Sequence, residues 1–178
     1  MAHSSLEIEK LALPGVLLIQ PKRFDDERGF FVETFHQEAL RAAGITHPFV
    51  QDNLSFSQKN VLRGLHFQKK PHVQARLVRC AYGEILDVAA DHNPESATFG
   101  KSVAVTLSGE MQTMLYIPAA YAHGFCVLSD AAVVEYKVSD YYYPESASGV
   151  LYDDPIFAIA WPIKDPILST QDTQWSML

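Results

Sequence analysis

ARLVRCAYGEILDVAAD, residues 75–91, is the stretch that decides the fold. Two apolar runs flank Tyr82-Gly83, a pair that can make a two-residue hairpin turn, although Tyr is a poor first residue for one. Such a turn sets Ala81 opposite Glu84, Val78 opposite Asp87 and Arg76 opposite Ala89. Period-two alternation then puts Arg76, Val78, Cys80, Ile85, Asp87 and Ala89 on one face. Leu77, Arg79, Ala81, Glu84, Leu86 and Val88 take the other. The first face is small and apolar except for an arginine diagonally close to an aspartate. Burying a charge pair is costly unless it is well compensated. The pair therefore reads either as a structural ion pair or as a polar pocket inside a barrel.

Similar segments recur in both directions from this one. LPGVLLIQPKRF, GFFVETF, KSVAVTLS, QTMLYIP, HGFCVLS, AAVVEYKVSDYYY and SGVLYDD are short and rich in β-branched and aromatic residues. Turn formers separate them at roughly 8–12-residue intervals, the spacing of a β-sandwich or barrel. The helix signal is confined to HQEALRAAGI, with Gly44 as its C-terminal stop. In VVEYKVSDYYY, parity places Val134, Tyr136, Val138, Asp140 and Tyr142 on one face, so two phenols point inward with the valines. The tail, 154–178, carries Pro155, Pro162 and Pro166 and suits a segment packed over the sheets better than a central strand.

Composition bounds the rest. A chain of 178 residues is expected to be a single domain, and one that buries roughly 70% of its unfolded surface needs no disulfide or metal for its core. Fourteen basic against 21 acidic side chains give a net charge of −7. That balance argues against nucleic acid and anionic membrane as partners, but not against a small anion, which two or three arginines can hold. Cys80 and Cys126 lie in apolar runs with no C-x-x-C spacing and read as buried hydrophobes. No basic stretch followed by an apolar region opens the chain, and no run approaches the ~18 apolar residues of a spanning helix. A cytoplasmic protein is the expectation.

Of seven histidines, His3, His36, His47, His72 and His92 fall in terminal, helical or loop contexts and read as solvated. His66, in VLRGLHFQ, and His123, in YIPAAYAHGFCVLS, lie on strand-like runs. The pattern is similar to the cupin barrels, whose metal sites use H-x-H and a later P-x-G-x-x-H. Here Gln68 stands in the place of the second histidine, no Glu follows, and Ala120 replaces the glycine. Two imidazoles without a third or fourth ligand make a poor metal site, so no metal is expected.

A more specific resemblance covers almost the whole chain, about 13–172. FDDERGFFVETF, FVQDNLSFS, NVLRGLHFQ, ARLVRCAYGEILDVAAD, YIPAAYAHGFCVLS, VEYKVSDYYYPES and LSTQD occur in an order that resembles the dTDP-4-dehydrorhamnose 3,5-epimerases, metal-free cupins acting on nucleotide-linked 4-keto-6-deoxy sugars. The resemblance implies an all-β double-stranded β-helix (jelly-roll) barrel with a few short helices. It also implies a homodimer in which an N-terminal arm, about 1–35, is exchanged with the partner, and a C-terminal segment, 154–178, that packs over the barrel. No cofactor is implied.

The chemistry implied is inversion at C3, C5 or both. A proton is removed from the carbon beside the C4 ketone and another is added on the opposite face, in deoxysugar supply for cell-surface polysaccharide. By position, His66 matches the family's general base, Asp172 its carboxylate partner and Tyr136 the general acid. Arg76 stands where the family has a lysine beside the developing enolate, and Ala75 where a glycine is frequent; Arg and Lys are not interchangeable at such a site. Arg63 and Arg28 match arginines that hold the diphosphate, Arg28 from the partner's arm. Phe31, Glu33, Gln51 and Asn53 match positions near base and ribose, His123 matches a pocket histidine that contacts the sugar, and Asp87 and Tyr142 match further pocket positions. The partner expected is a dTDP- or GDP-linked keto-deoxysugar. The competing readings are a metal-dependent cupin such as a dioxygenase and a sugar-nucleotide-binding module without catalysis.

Overall fold

The computed structural model describes residues 6–178; His3 lies outside them. Thirteen strands and one short helix follow in chain order: β1 (Glu7–Lys10), β2 (Leu17–Gln20), β3 (Arg23–Asp26), β4 (Gly29–Val32), α1 (Gln37–Ala42), β5 (Gln51–Gln58), β6 (Leu62–Gln68), β7 (Arg76–Tyr82), β8 (Glu84–Ala90), β9 (Ser102–Ser108), β10 (Met114–Ile117), β11 (Ala122–Val127), β12 (Ala131–Val138) and β13 (Ala147–Gly149). From β5 to β13 the chain moves back and forth between two sheets. One has the order β1-β2-β10-β7-β12-β5, the other β13-β6-β11-β8-β9. That alternation makes the jelly roll. β3 and β4 form a separate two-stranded hairpin.

The deciding segment folds differently from a hairpin. β7 pairs with β10 and β12, whereas β8 pairs with β11 and β9. The expected partners Ala81–Glu84, Val78–Asp87 and Arg76–Ala89 are therefore not paired. Gly83, at φ +78°, is the corner at which the chain leaves one sheet for the other. A Cβ there would lie 2.1 Å from the Ala131 carbonyl oxygen, so no side chain fits. Parity nevertheless sorts the side chains. Val78, Cys80, Ile85 and Ala89 share the barrel interior with Leu107, Leu115, Val127 and Val134. Leu77 packs on the other side, against Leu17, Ile19, Leu40 and Ile45, and Val88 joins Leu65, Val150 and Phe157. Each fully buried aliphatic side chain contributes roughly 1.5–3 kcal/mol, so three dry layers hold the two sheets around whatever polar groups the interior carries.

Two sequence motifs owe their glycines to one contact. A Cβ on Gly64, at φ +141°, would meet the Gly124 Cα at 2.5 Å, and one on Gly124 would meet the Arg63 carbonyl oxygen at 2.8 Å. RGLHF and AHGF are thus the two sides of a close β6–β11 approach, and the register there sets His66 opposite His123. The tail reaches β6 through a Val61–Ile167 bridge, with Ile167 N–H donating to the Asn60 carbonyl at 2.8 Å. Before it in the chain, 155–161 covers the outer side of the second sheet with Phe157, Ile159 and Trp161.

Within this chain β1 pairs with β2 and β2 with β10. Two further expectations change. β12 ends at Val138, so Tyr142 sits in a loop, 55% exposed, and strand parity does not extend to it. His47, His72 and His92 are partly buried rather than solvated, stacked on Tyr116, Tyr143 and Phe67 respectively. Both cysteines are free and buried, and burial pushes their thiols up to about 11.

Candidate active site

A cavity of about 250 Å³ opens between the two sheets, lined among others by Gln51, Asn53, His66, Arg76, Tyr136 and Tyr142. His66 comes from β6 in one sheet. Arg76 and Tyr136 come from β7 and β12 in the other. The His66 ring hydrogen-bonds through Nε2 to Asp172, which leaves Nδ1 as its free nitrogen. Asp172 is delivered by the tail. The second oxygen of its carboxylate accepts from the Ser169 hydroxyl at 2.8 Å, and its N–H donates to the same hydroxyl at 3.1 Å. Burial acts most strongly on this carboxyl and would raise its pKa. The His66 and Ser169 contacts together outweigh it and hold the group below the ordinary Asp value. Asp172 is therefore an anion at neutral pH, fixed against one imidazole nitrogen.

Arg76 is 8% exposed and donates from Nη1 to the His66 carbonyl oxygen at 2.8 Å, so it spans from one sheet to the other. Burial pulls its pKa down, while the charges of Tyr136 and Asp87 pull it back up. Its Nε has no partner, nor has Oδ2 of the fully buried Asp87. Deeper in the same interior, His123 Nε2 and Asp87 Oδ1 are 2.7 Å apart. Burial lowers the His123 pKa despite that aspartate, and the Arg76 and His66 charges act in the same direction as burial. The neutral ring thus donates its Nε2–H to Asp87. Gln51 ties β5 to the loop after β12, donating to Asn53 Oδ1 at 2.8 Å and accepting from the Tyr142 N–H at 3.1 Å.

Four named residues lie elsewhere. Arg63 is exposed beside the cavity lining and donates from Nε to the Ser57 hydroxyl at 3.1 Å. Arg28, in the turn of the β3–β4 hairpin, is paired with Asp26 at 2.5 Å with its side chain 83% exposed. Phe31 on β4 is 66% exposed. Glu33 follows that strand with Oε1 buried and unpartnered. The chain does not bring Arg28, Phe31 or Glu33 to its own cavity. Among the described residues no three His, Cys, Asp or Glu side chains gather as a ligand set; His66 and His123 are each tied to a carboxylate of their own.

The family model described as dTDP-4-dehydrorhamnose 3,5-epimerase matches residues 10–178. The chain belongs to the dTDP-4-dehydrorhamnose 3,5-epimerase family. The enzyme of that name from Shigella flexneri is 48% identical over 168 residues, covering 94% of this chain and 93% of its own. A crystal structure of the Legionella pneumophila dTDP-6-deoxy-D-glucose-3,5-epimerase in complex with dTDP-4-keto-L-rhamnose superposes with a TM-score of 0.93 at 44% identity, covering 97% of this chain and 93% of that one. The Bacillus anthracis epimerase, with TDP and pyrophosphate bound, gives 0.95 at 39% identity over 98% and 100%.

The cavity between the sheets also holds side chains that sequence reasoning missed. Gln68 and Gln74 line it. Gln68 donates to the His72 and Tyr141 carbonyls and accepts from the Tyr143 N–H, joining the loops on either side of the mouth. Gln68 is two residues from His66 on β6, so parity there could have found it, whereas Gln74 lies before β7 begins. Trp175 and Gln171 line it from the tail, where no periodicity applies.

Proposed function

We propose that the cavity epimerises a dTDP-linked 4-keto-6-deoxyhexose, taking dTDP-4-dehydro-6-deoxyglucose to dTDP-4-dehydro-L-rhamnose, with the roles divided between the two sheets. His66 Nδ1 removes the proton beside the C4 ketone, and the bonding pair moves into the enolate. Asp172 holds the ring's orientation and stabilises the imidazolium that forms. Arg76 supplies positive charge and N–H donors for the enolate oxygen. Tyr136 returns a proton to the other face of the carbon. Protons alone move, so the step balances without an oxidant or reductant. One observation carries the assignment: base and acid stand on opposite walls of a single cavity, as inversion requires.

The nucleotide lies toward Gln51, Asn53, Tyr142 and Arg63 on this reading, and His123 with Asp87 shapes the floor under the sugar. Arg28, Phe31 and Glu33 serve the site of a second copy. The support is that the β3–β4 hairpin exposes Phe24, Phe30 and Phe31, and that β5 turns Leu54 (64%) and Phe56 (59%) outward. A homodimer that exchanges the hairpin would cover these side chains and complete each cavity with Arg28 from the partner. Its setting is the cytoplasm, supplying deoxysugar for cell-surface polysaccharide.

The test is reaction with dTDP-4-dehydro-6-deoxyglucose in deuterium oxide, followed by NMR. Deuterium at both C3 and C5 with an L-rhamno product is expected. Label at one carbon only would make the chain a single-centre epimerase. No label from this or any related dTDP- or GDP-linked keto sugar would sink the enzymatic reading.

A further inference from the structure

Asp172 is buried within a run of exposed residues: Ser169, Thr170, Gln171, Thr173, Gln174 and Ser176 all face solvent. His66 and Ser169 close on its carboxylate, and the remaining exception in that run is Trp175, which is half-buried. The indole lies edge-on to the His66 imidazole, with ring centroids 6.4 Å apart and planes at 67°. Its other side rests on Gly149, the strand neighbour of His66 on β13. A Cβ at Gly149 would come within 2.6 Å of both Cε2 and Nε1 of the indole, so the glycine makes the room the ring occupies.

The tail around it is tied down. Leu151 N–H donates to the Ser176 carbonyl at 3.1 Å, and Leu178 N–H to Asp154 Oδ2 at 2.8 Å. The indole Nε1 is buried with no acceptor. Shape therefore places the ring, at the expense of a hydrogen bond that a tryptophan normally finds.

We propose that Trp175 is a positioning residue for proton transfer at His66, walling the His66–Asp172 pair from water so that an abstracted proton exchanges slowly. The inference rests on the epimerase reading of the same site. When the C–H bond breaks, its pair enters the enolate and the proton resides on His66 Nδ1. Return of that proton regenerates substrate, whereas delivery from Tyr136 gives inverted product. If bulk deuterium oxide reaches the imidazole first, the returned atom is deuterium and the substrate becomes labelled without inversion.

The ratio of deuterium in recovered substrate to product formed reads the wall directly. In W175A the ratio should rise several-fold over the wild type. W175F, which keeps a smaller ring in the same place but loses the outer six-membered ring of the indole, should give a smaller rise, so the test does not depend on W175A folding. A tryptophan that only stabilises the tail would lower exchange and inversion together and leave the ratio unchanged in both variants; that result overturns the inference. A wild-type enzyme that labels no keto sugar would instead defeat the assigned function.

Discussion

Two histidine–carboxylate pairs sit one strand apart in different surroundings. His66 and His123 are register partners across β6 and β11, each hydrogen-bonded through Nε2 to an aspartate that is almost fully buried. The side chain of His66 is 37% exposed, while that of His123 is 8% exposed. The aspartate of His66 arrives on the tail from 106 residues away; that of His123 lies on β8, the strand beside it. The open ring has a free nitrogen at the cavity and can exchange a proton. The closed ring is held neutral by burial, under the guanidinium of Arg76, and serves as a fixed dipole and a filled volume. On the proposed mechanism, identical side-chain chemistry divides into a base and a scaffold according to which one the cavity reaches.

Removing the open ring should break that division most severely. His66→Ala should lower turnover by about 10²- to 10⁴-fold, the range a positioned general base contributes, while dTDP affinity measured by calorimetry stays within a few fold. A variant with near-normal turnover would move the base elsewhere, with His123 the first place to look. The next largest effect belongs to Asp172→Asn. It keeps the shape of the contact but replaces a charged hydrogen bond worth ~1.5–3 kcal/mol, which is about ten- to a hundred-fold in rate. Steady-state kinetics should show that loss in kcat with KM little changed. A pure KM effect would mean that Asp172 holds substrate rather than the ring.

The contrast also explains what could be read from the chain. Parity on β7 and β8 is a local property, and it placed Val78, Cys80, Ile85 and Ala89 together in the barrel. Pairing is not local. Gly83 suits a hairpin turn and a sheet-to-sheet corner equally well, and the choice is made by packing against Ala131, 48 positions later. β5 escaped the search for apolar runs because its amphipathicity is inverted. Asn53, Ser55 and Ser57 are its more buried positions, while Leu54 and Phe56 face out. A strand with polar residues toward a site and apolar ones outward resembles no core strand. The His66–Asp172 pair was reachable only through family resemblance, since no spacing rule links residues so far apart. Trp175 had no signal at all, because its position depends on the shape of Gly149.

The smallest expected effect concerns the closed pair and is read in stability. Burial depresses the His123 pKa below the ordinary value, so the unfolded chain takes up this proton more readily than the native one. The contribution is complete above about pH 6.5, the value of an unperturbed histidine, and is lost as pH falls below it, at no more than about 1.4 kcal/mol per pH unit for one proton. Asp172 adds a loss of the same sign only in a lower window, below the ordinary Asp value of about 3.9. Thermal melting should therefore show Tm falling between pH 7.5 and 5.5. In His123→Asn that fall should become shallower without vanishing, because burial also depresses His47 and His92. If the slope is unchanged in His123→Asn, the closed imidazole takes up its proton as readily in the native state as in the unfolded chain, and the two pairs would differ in access alone.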